Sequence, residues 1–171
     1  MVLPPNSRCA DGYRTASRLN TEELSYGLLE DGHWPITPRW WEKLEQAADD
    51  RYIAVANGEL SFPRCRTACC IGGGLVRAMG SICPAPMKHN FIDNVWDDVA
   101  REHNLLRPVA DVYVEHHHHI RGTAAMDATF ERGSKDFAED QARYEEWLVS
   151  DDKKRMDDRI ANYVSKPPGI V

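Results

Sequence analysis

Apolar positions along this chain fall in short blocks whose spacing switches between helical and extended periods. Residues 9–19 (CADGYRTASRL) place Ala10, Tyr13, Ala16 and Ser17 on one side of a short helix. Leu24–Leu29 is an apolar run of buried-strand length, and it stops abruptly at Glu30, Asp31, Gly32 and His33. Those polar residues would emerge at a strand's C-terminal edge, where open α/β sheets place their ligands. Trp34–Pro38 reads as a stiff loop. Thr37 is suited to an N-cap and Pro38 to a first helical position, opening the helix PRWWEKLEQAAD with Trp41, Leu44 and Ala48 inward. Tyr52–Val55 follows as a strand, and Asn57-Gly58 marks a turn.

Cys65 to Ile71 reads as extended, and the glycine run Gly72-Gly73-Gly74 opens a helix that Gly80 closes. A glycine-led helix start either lets a phosphate approach closely or makes a tight strand-to-helix turn. Its spacing matches neither a P-loop nor a dinucleotide fingerprint. Further on, Val95, Trp96, Val99, His103 and Leu106 recur at three- and four-residue steps, so they share one face of a helix. Asp93 sits where an N-cap or first-turn acid belongs, beside the positive end of the helix dipole. Pro108 ends that segment. ADVYVEHHHHI then alternates as a strand, with Val112, Val114 and His116 on one side and Tyr113, Glu115 and His117 on the other. From Ser134 to Tyr163 the pattern is helical, its apolar stripe broken by SDDKKRMDDR at a solvated face or a helix break.

This order predicts an α/β fold. A small mixed sheet contains 24–29, 52–56 and 111–118, and helices 38–48, 73–80 and 94–104 flank it. Residues 1–133 form the α/β domain, and 134–171 form a long C-terminal helical segment packed on it.

Composition changes this picture at four points. With 171 residues and 42% hydrophobic content, the chain can build one sizeable core. A formal net charge of −6 argues against non-specific nucleic-acid binding. No apolar run approaches the roughly 18–20 residues that span a bilayer, and the N-terminus lacks a signal peptide's apolar region, so a cytoplasmic protein without membrane contact is expected. The five cysteines, an odd number, fit reduced thiols better than a disulfide framework. Cys65, Cys69, Cys70 and Cys83 are accounted for as buried thiols or as zinc ligands, although C-x3-C-C-x12-C lacks a knuckle spacing.

The segment His89–His119 concentrates candidate chemistry: three aspartates early in its helical part (Asp93, Asp97, Asp98), a tryptophan and six of the seven histidines. A strand end that delivers histidines beside an acid-rich helix suits a metal and a general base. Trp40, Trp41 and Trp96 are accounted for as core, and an exposed tryptophan beside the acids would stack on a sugar ring.

The order LLEDGHWPITPRWWEKL, CIGGGLVRAMGSICPAPMKHNFIDNVWDDV and ADVYVEHHHHIRGTAAMDATFERG resembles the C-terminal half of GT-A-fold glycosyltransferase-like proteins, many of them phage-encoded. The resemblance spans roughly residues 20–135. It implies a divalent cation, manganese or magnesium, held by Asp31 and His33 in an Asp-x-His motif and completed by His116 with His118. Asp93 falls at the acid that acts as base or orients the acceptor. Trp34, Gly73, Gly74, Trp96 and Asp97 are the candidate substrate contacts. The implied activity is metal-dependent transfer from a nucleotide-activated sugar to a hydroxyl acceptor.

Gly32 stands where that family carries a second acid, and thirty residues precede Asp31, too few for the β-α units that build a nucleotide pocket. A truncated GT-A-like domain is therefore expected, and with it a homo-oligomer or partner chain that covers the exposed sheet edge, the helix from Ser134 to Tyr163 serving as a contact. The alternative is a non-catalytic, phage-encoded binding or assembly protein built on the truncated fold.

Overall fold

A computed structural model describes residues 9–19, 21–29, 32–58, 68–117, 122 and 128–167. The elements are α1 (Cys9–Leu19), β1 (Ser25–Leu28), β2 (His33–Pro35), α2 (Trp40–Ala48), β3 (Ile53–Asn57) and β4 (Cys69–Gly72). They continue with α3 (Gly73–Met79), α4 (Ile92–Glu102), β5 (Leu106–His116), α5 (Ala128–Leu148) and α6 (Asp151–Val164). The strands form one mixed sheet of order β1-β4-β3-β5-β2, in which β3 and β5 are parallel and every other pair is antiparallel. The mixed α/β fold with a C-terminal helical segment is thus the one expected.

Alternation along the strands builds two cores. Ala54, Ala56, Cys70, Val112 and Val114 meet Leu44 and Ala48 of α2 on one face. The other face is larger: Ile53, Val55, Cys69 and Ile71 pack with Leu75 and Val76 of α3 and with Ile92, Val95, Trp96 and Val99 of α4. Trp147 of α5 and Met156 and Ile160 of α6 belong to that same core, so the helical extension shares its apolar interior. Among the described residues, no helix is long and apolar enough to cross a membrane.

Three local expectations are corrected. Residues 33–35 form an edge strand rather than a loop, because Pro35 needs no ladder N–H at an edge and pairs with Val114. Thr37 does not cap α2: Arg39, at φ 55°, holds that position. The Thr37 hydroxyl instead accepts the Tyr113 N–H at 2.7 Å, extending the β2–β5 contact past the proline. Of the two places expected for Asp93, the structure gives the first turn of α4, with Phe91, at φ 64°, at the N-cap. Finally, Pro108 lies within a strand. It faces Val55 in the parallel ladder, and the register then slips from Ala56↔Val109 to Asn57↔Tyr113, which leaves Ala110 and Asp111 exposed between two halves of β5.

The expected break in the C-terminal helix falls between α5 and α6. There Ser150 accepts the Lys153 N–H at 3.2 Å and begins a new helix.

Candidate functional site

The end of β5 and the short strand β2 form an antiparallel ribbon that carries the histidines. His33 stands directly across from His116. Directly opposed residues on antiparallel strands share a face, and the two imidazole centroids lie 4.4 Å apart at an interplanar angle of 51°. Burial first, and then the neighbouring His116 ring, push the His33 pKa down to about 4. His33 is therefore a neutral imidazole at physiological pH, the form that ligates metals. Gly32 makes this approach possible. Its carbonyl accepts the His117 N–H at 2.7 Å, and a Cβ at Gly32 would lie 2.4 Å from the His117 carbonyl oxygen. The glycine found where the resemblance called for an acid is thus a condition of strand pairing.

The opposite face of the ribbon carries a second constellation. Trp34 pairs with Glu115 across the strands. The Trp34 and His117 rings are 5.7 Å apart at 33°, and His117 Nε2 lies 2.9 Å from Glu115 Oε2. Trp34 is 59% exposed. Strand alternation therefore separates Trp34 from the histidine pair, two candidates that the sequence placed side by side.

The remaining candidates divide as follows. Asp31 and His118, like Cys65, lie outside the described residues. Asp93 is half-buried on α4, the helix that packs on the large-core side of the sheet. Asp97 is buried and accepts the Arg101 guanidinium at 2.8 Å one turn on. Its carboxylate is thus engaged within the helix. Trp96 is a core residue: it is 5% exposed, its indole N–H donates to the Ile82 carbonyl at 2.7 Å, and its ring meets Tyr13 edge-on. A sugar has no access to it, which corrects its assignment as a substrate contact.

Gly73 and Gly74 are likewise buried, and their helix start is filled from within the chain. Asp50 Oδ1 accepts the Gly74 N–H at 2.5 Å and the Arg77 guanidinium at 2.8 Å. Asp50 Oδ2 accepts the Tyr163 hydroxyl at 2.7 Å. An internal carboxylate thus takes the place a phosphate would need, which corrects the substrate-contact assignment of these two glycines.

The cysteines resolve the same way. Cys69 and Cys70 point to opposite cores, and burial pushes the Cys70 thiol up to about 12 and the Cys83 thiol to about 11. Inert buried thiols, not zinc ligands, are the outcome.

Two clusters escaped the sequence reading. Asp140 of α5, fully buried, accepts the backbone N–H groups of Lys88, His89 and Asn90 at 2.8 Å each. It thereby fixes the loop that leads into Asp93. Separately, Glu102, His103 and Asp157 offer three ligand atoms within 4.8 Å of one another. However, the buried Lys153 ammonium already bridges Glu102 and Asp157. Burial pulls Lys153 down, but its bonds to the two carboxylates outweigh that and leave its pKa raised. A permanent cation in the middle of the cluster leaves little need for a metal there. No local motif announced either group, since each joins residues about fifty positions apart.

Two imidazoles on one ribbon face offer nitrogen donors to a divalent ion. Manganese suits that donor set better than magnesium, which prefers an all-oxygen shell. Compared with protein-family models, with curated proteins and with solved structures, the chain matches none.

Proposed function

We propose that the chain is a metal-dependent glycosyltransferase-like protein acting on a nucleotide-activated sugar. The observation that carries this reading is the cross-strand pair His33–His116 at the end of β5, held with its rings 4.4 Å apart. These two residues would hold the ion, with Asp31 and His118 as further donors. A bound divalent cation supplies charge neutralisation of the sugar-linked diphosphate. Asp93, in the first turn of α4, provides the carboxylate that accepts a proton from the acceptor hydroxyl. A second copy or a partner chain is part of the reading, because Leu24 and Leu29, which flank the outer strand β1, are 73% and 44% exposed.

A second reading, a non-catalytic binding or assembly protein on the same fold, draws support from the closure of the Gly73–Gly74 helix start by Asp50. A nucleotide diphosphate finds no seat on that helix. A melting scan with manganese, repeated with a nucleotide sugar, separates the two readings. Stabilisation by both ligands together with turnover supports the transferase. No shift with either ligand, and no turnover, supports the binding protein.

A further inference from the structure

The ribbon's second face has a chemistry of its own. Its members are Trp34, 59% exposed on a three-residue edge strand, Glu115 directly across from it, and His117, whose ring leans on the indole and whose Nε2 meets the Glu115 carboxylate at 2.9 Å. An exposed indole with a tilted imidazole beside it is a platform for the C–H face of a pyranose. A carboxylate at its rim accepts hydrogen bonds from the sugar's equatorial hydroxyls, and an imidazole adds either a donor or an acceptor. Hydrophobic packing does not account for the indole's position, since so large an apolar ring is costly to leave in water.

The face is also distinct from that of the histidine pair. His33 and His116 share the side of β5 that carries Val112 and Val114, the α2 side. Trp34 and Glu115 face the other way, toward the layer that contains α4. A sugar stacked on Trp34 is therefore not the sugar attached to a diphosphate on the His33–His116 ion.

We propose that Trp34, Glu115 and His117 form a pyranose-binding subsite, set on the opposite face of the β2–β5 ribbon from His33 and His116 and separate from any site of transfer. The binding of a sugar here does not rest on the transferase reading.

The test uses the whole chain and a series of methyl glycosides (glucose, galactose, mannose and N-acetylglucosamine), followed through the indole N–H signal of Trp34 by NMR. At least one glycoside should shift that signal saturably. Trp34→Ala and Glu115→Gln should each weaken binding about tenfold, as read on the neighbouring backbone signals, which is the scale expected of one aromatic platform. Trp34→Ala should keep the parent's manganese-induced rise in melting temperature, because it lies on the other face, and the same scan establishes that the variant is folded. His33→Ala should keep the parent's glycoside affinity. If no glycoside binds the parent protein, or if Trp34→Ala binds as tightly as the parent, the subsite is overturned. Loss of the manganese response with glycoside binding intact would instead remove the transferase reading and leave a sugar-binding protein.

Discussion

Asp50 accepts the Gly74 N–H through Oδ1 at 2.5 Å while its Oδ2 holds the Tyr163 hydroxyl from the last turn of α6 at 2.7 Å. One carboxylate therefore seals the start of α3 and ties the C-terminal helix to the sheet. Hydrogen bonds to a charged group contribute about 1.5–3 kcal/mol, so Asp50→Ala should lose about 2 kcal/mol in urea unfolding. Gly74→Ala should also destabilise, although alanine is the better helix former. A Cβ there would lie 2.0 Å from the Tyr163 hydroxyl and 2.2 Å from Asp50 Oδ2. Unchanged or increased stability in Gly74→Ala would show that the seal is looser than described.

Asp140 makes a pH-dependent prediction. Burial alone would raise its pKa, but the N–H groups of Lys88, Asn90 and His89 stabilise the carboxylate and bring it below the ordinary value of 3.8. A carboxylate whose folded pKa is depressed contributes stability that is complete above its unfolded value and is lost as pH falls through the folded value. Asp140→Asn presents an amide to N–H donors and should cost about 3 kcal/mol near pH 7. The gap between variant and parent should narrow as pH drops below about 4. Melting curves across that range decide it, and a gap that stays constant into acid would contradict the charge-based account.

Much of this architecture is legible in the sequence because it rests on local periodicity. The Val95-Trp96-Val99 spacing defines α4, and the alternation Val112-Val114-His116 correctly divides β5 between two faces. The same alternation, extended across a strand pair, was beyond reach, because β2 has only three residues and contains Pro35. Without β2, local periodicity did not set His33 opposite His116 or turn Trp34 away from both; only the family resemblance grouped the two histidines. Trp96 illustrates the opposite failure. Its neighbourhood of acids pointed to a ligand, but those acids are spent locally: Asp97 on Arg101, and Asp98 on the Tyr144 hydroxyl. Asp50 and Asp140 could not be singled out among 27 acidic residues, since their partners come from distant backbone.

The Glu102–His103–Asp157 cluster supplies a control on where metal binds. Lys153, its side chain 7% exposed, already compensates the two carboxylates. His103→Ala should therefore leave the manganese-dependent melting shift unchanged. Lys153→Met should destabilise the metal-free protein by about 1 kcal/mol, because two partly exposed carboxylates lose their counter-charge. If His103→Ala abolished the shift, the ion would belong to this cluster and not to the ribbon.

The decisive set is His33→Ala, His116→Ala and Asp93→Asn. A ligand that binds only the native state stabilises it by about 2.7 kcal/mol at a hundredfold excess over Kd. Manganese should produce such a shift in the parent protein, and either histidine substitution should remove most of it. Both are partly exposed strand-end positions with modest packing, so the metal-free melting temperature should change little. Asp93→Asn should separate binding from chemistry. It keeps the side chain's shape and loses the base, so the manganese shift should persist while sugar transfer or donor hydrolysis disappears. Turnover that survived Asp93→Asn would assign the base elsewhere. A manganese shift without turnover in the parent would describe a chain that retains the ion site and has lost the transfer step, as the Asp50-sealed helix start allows.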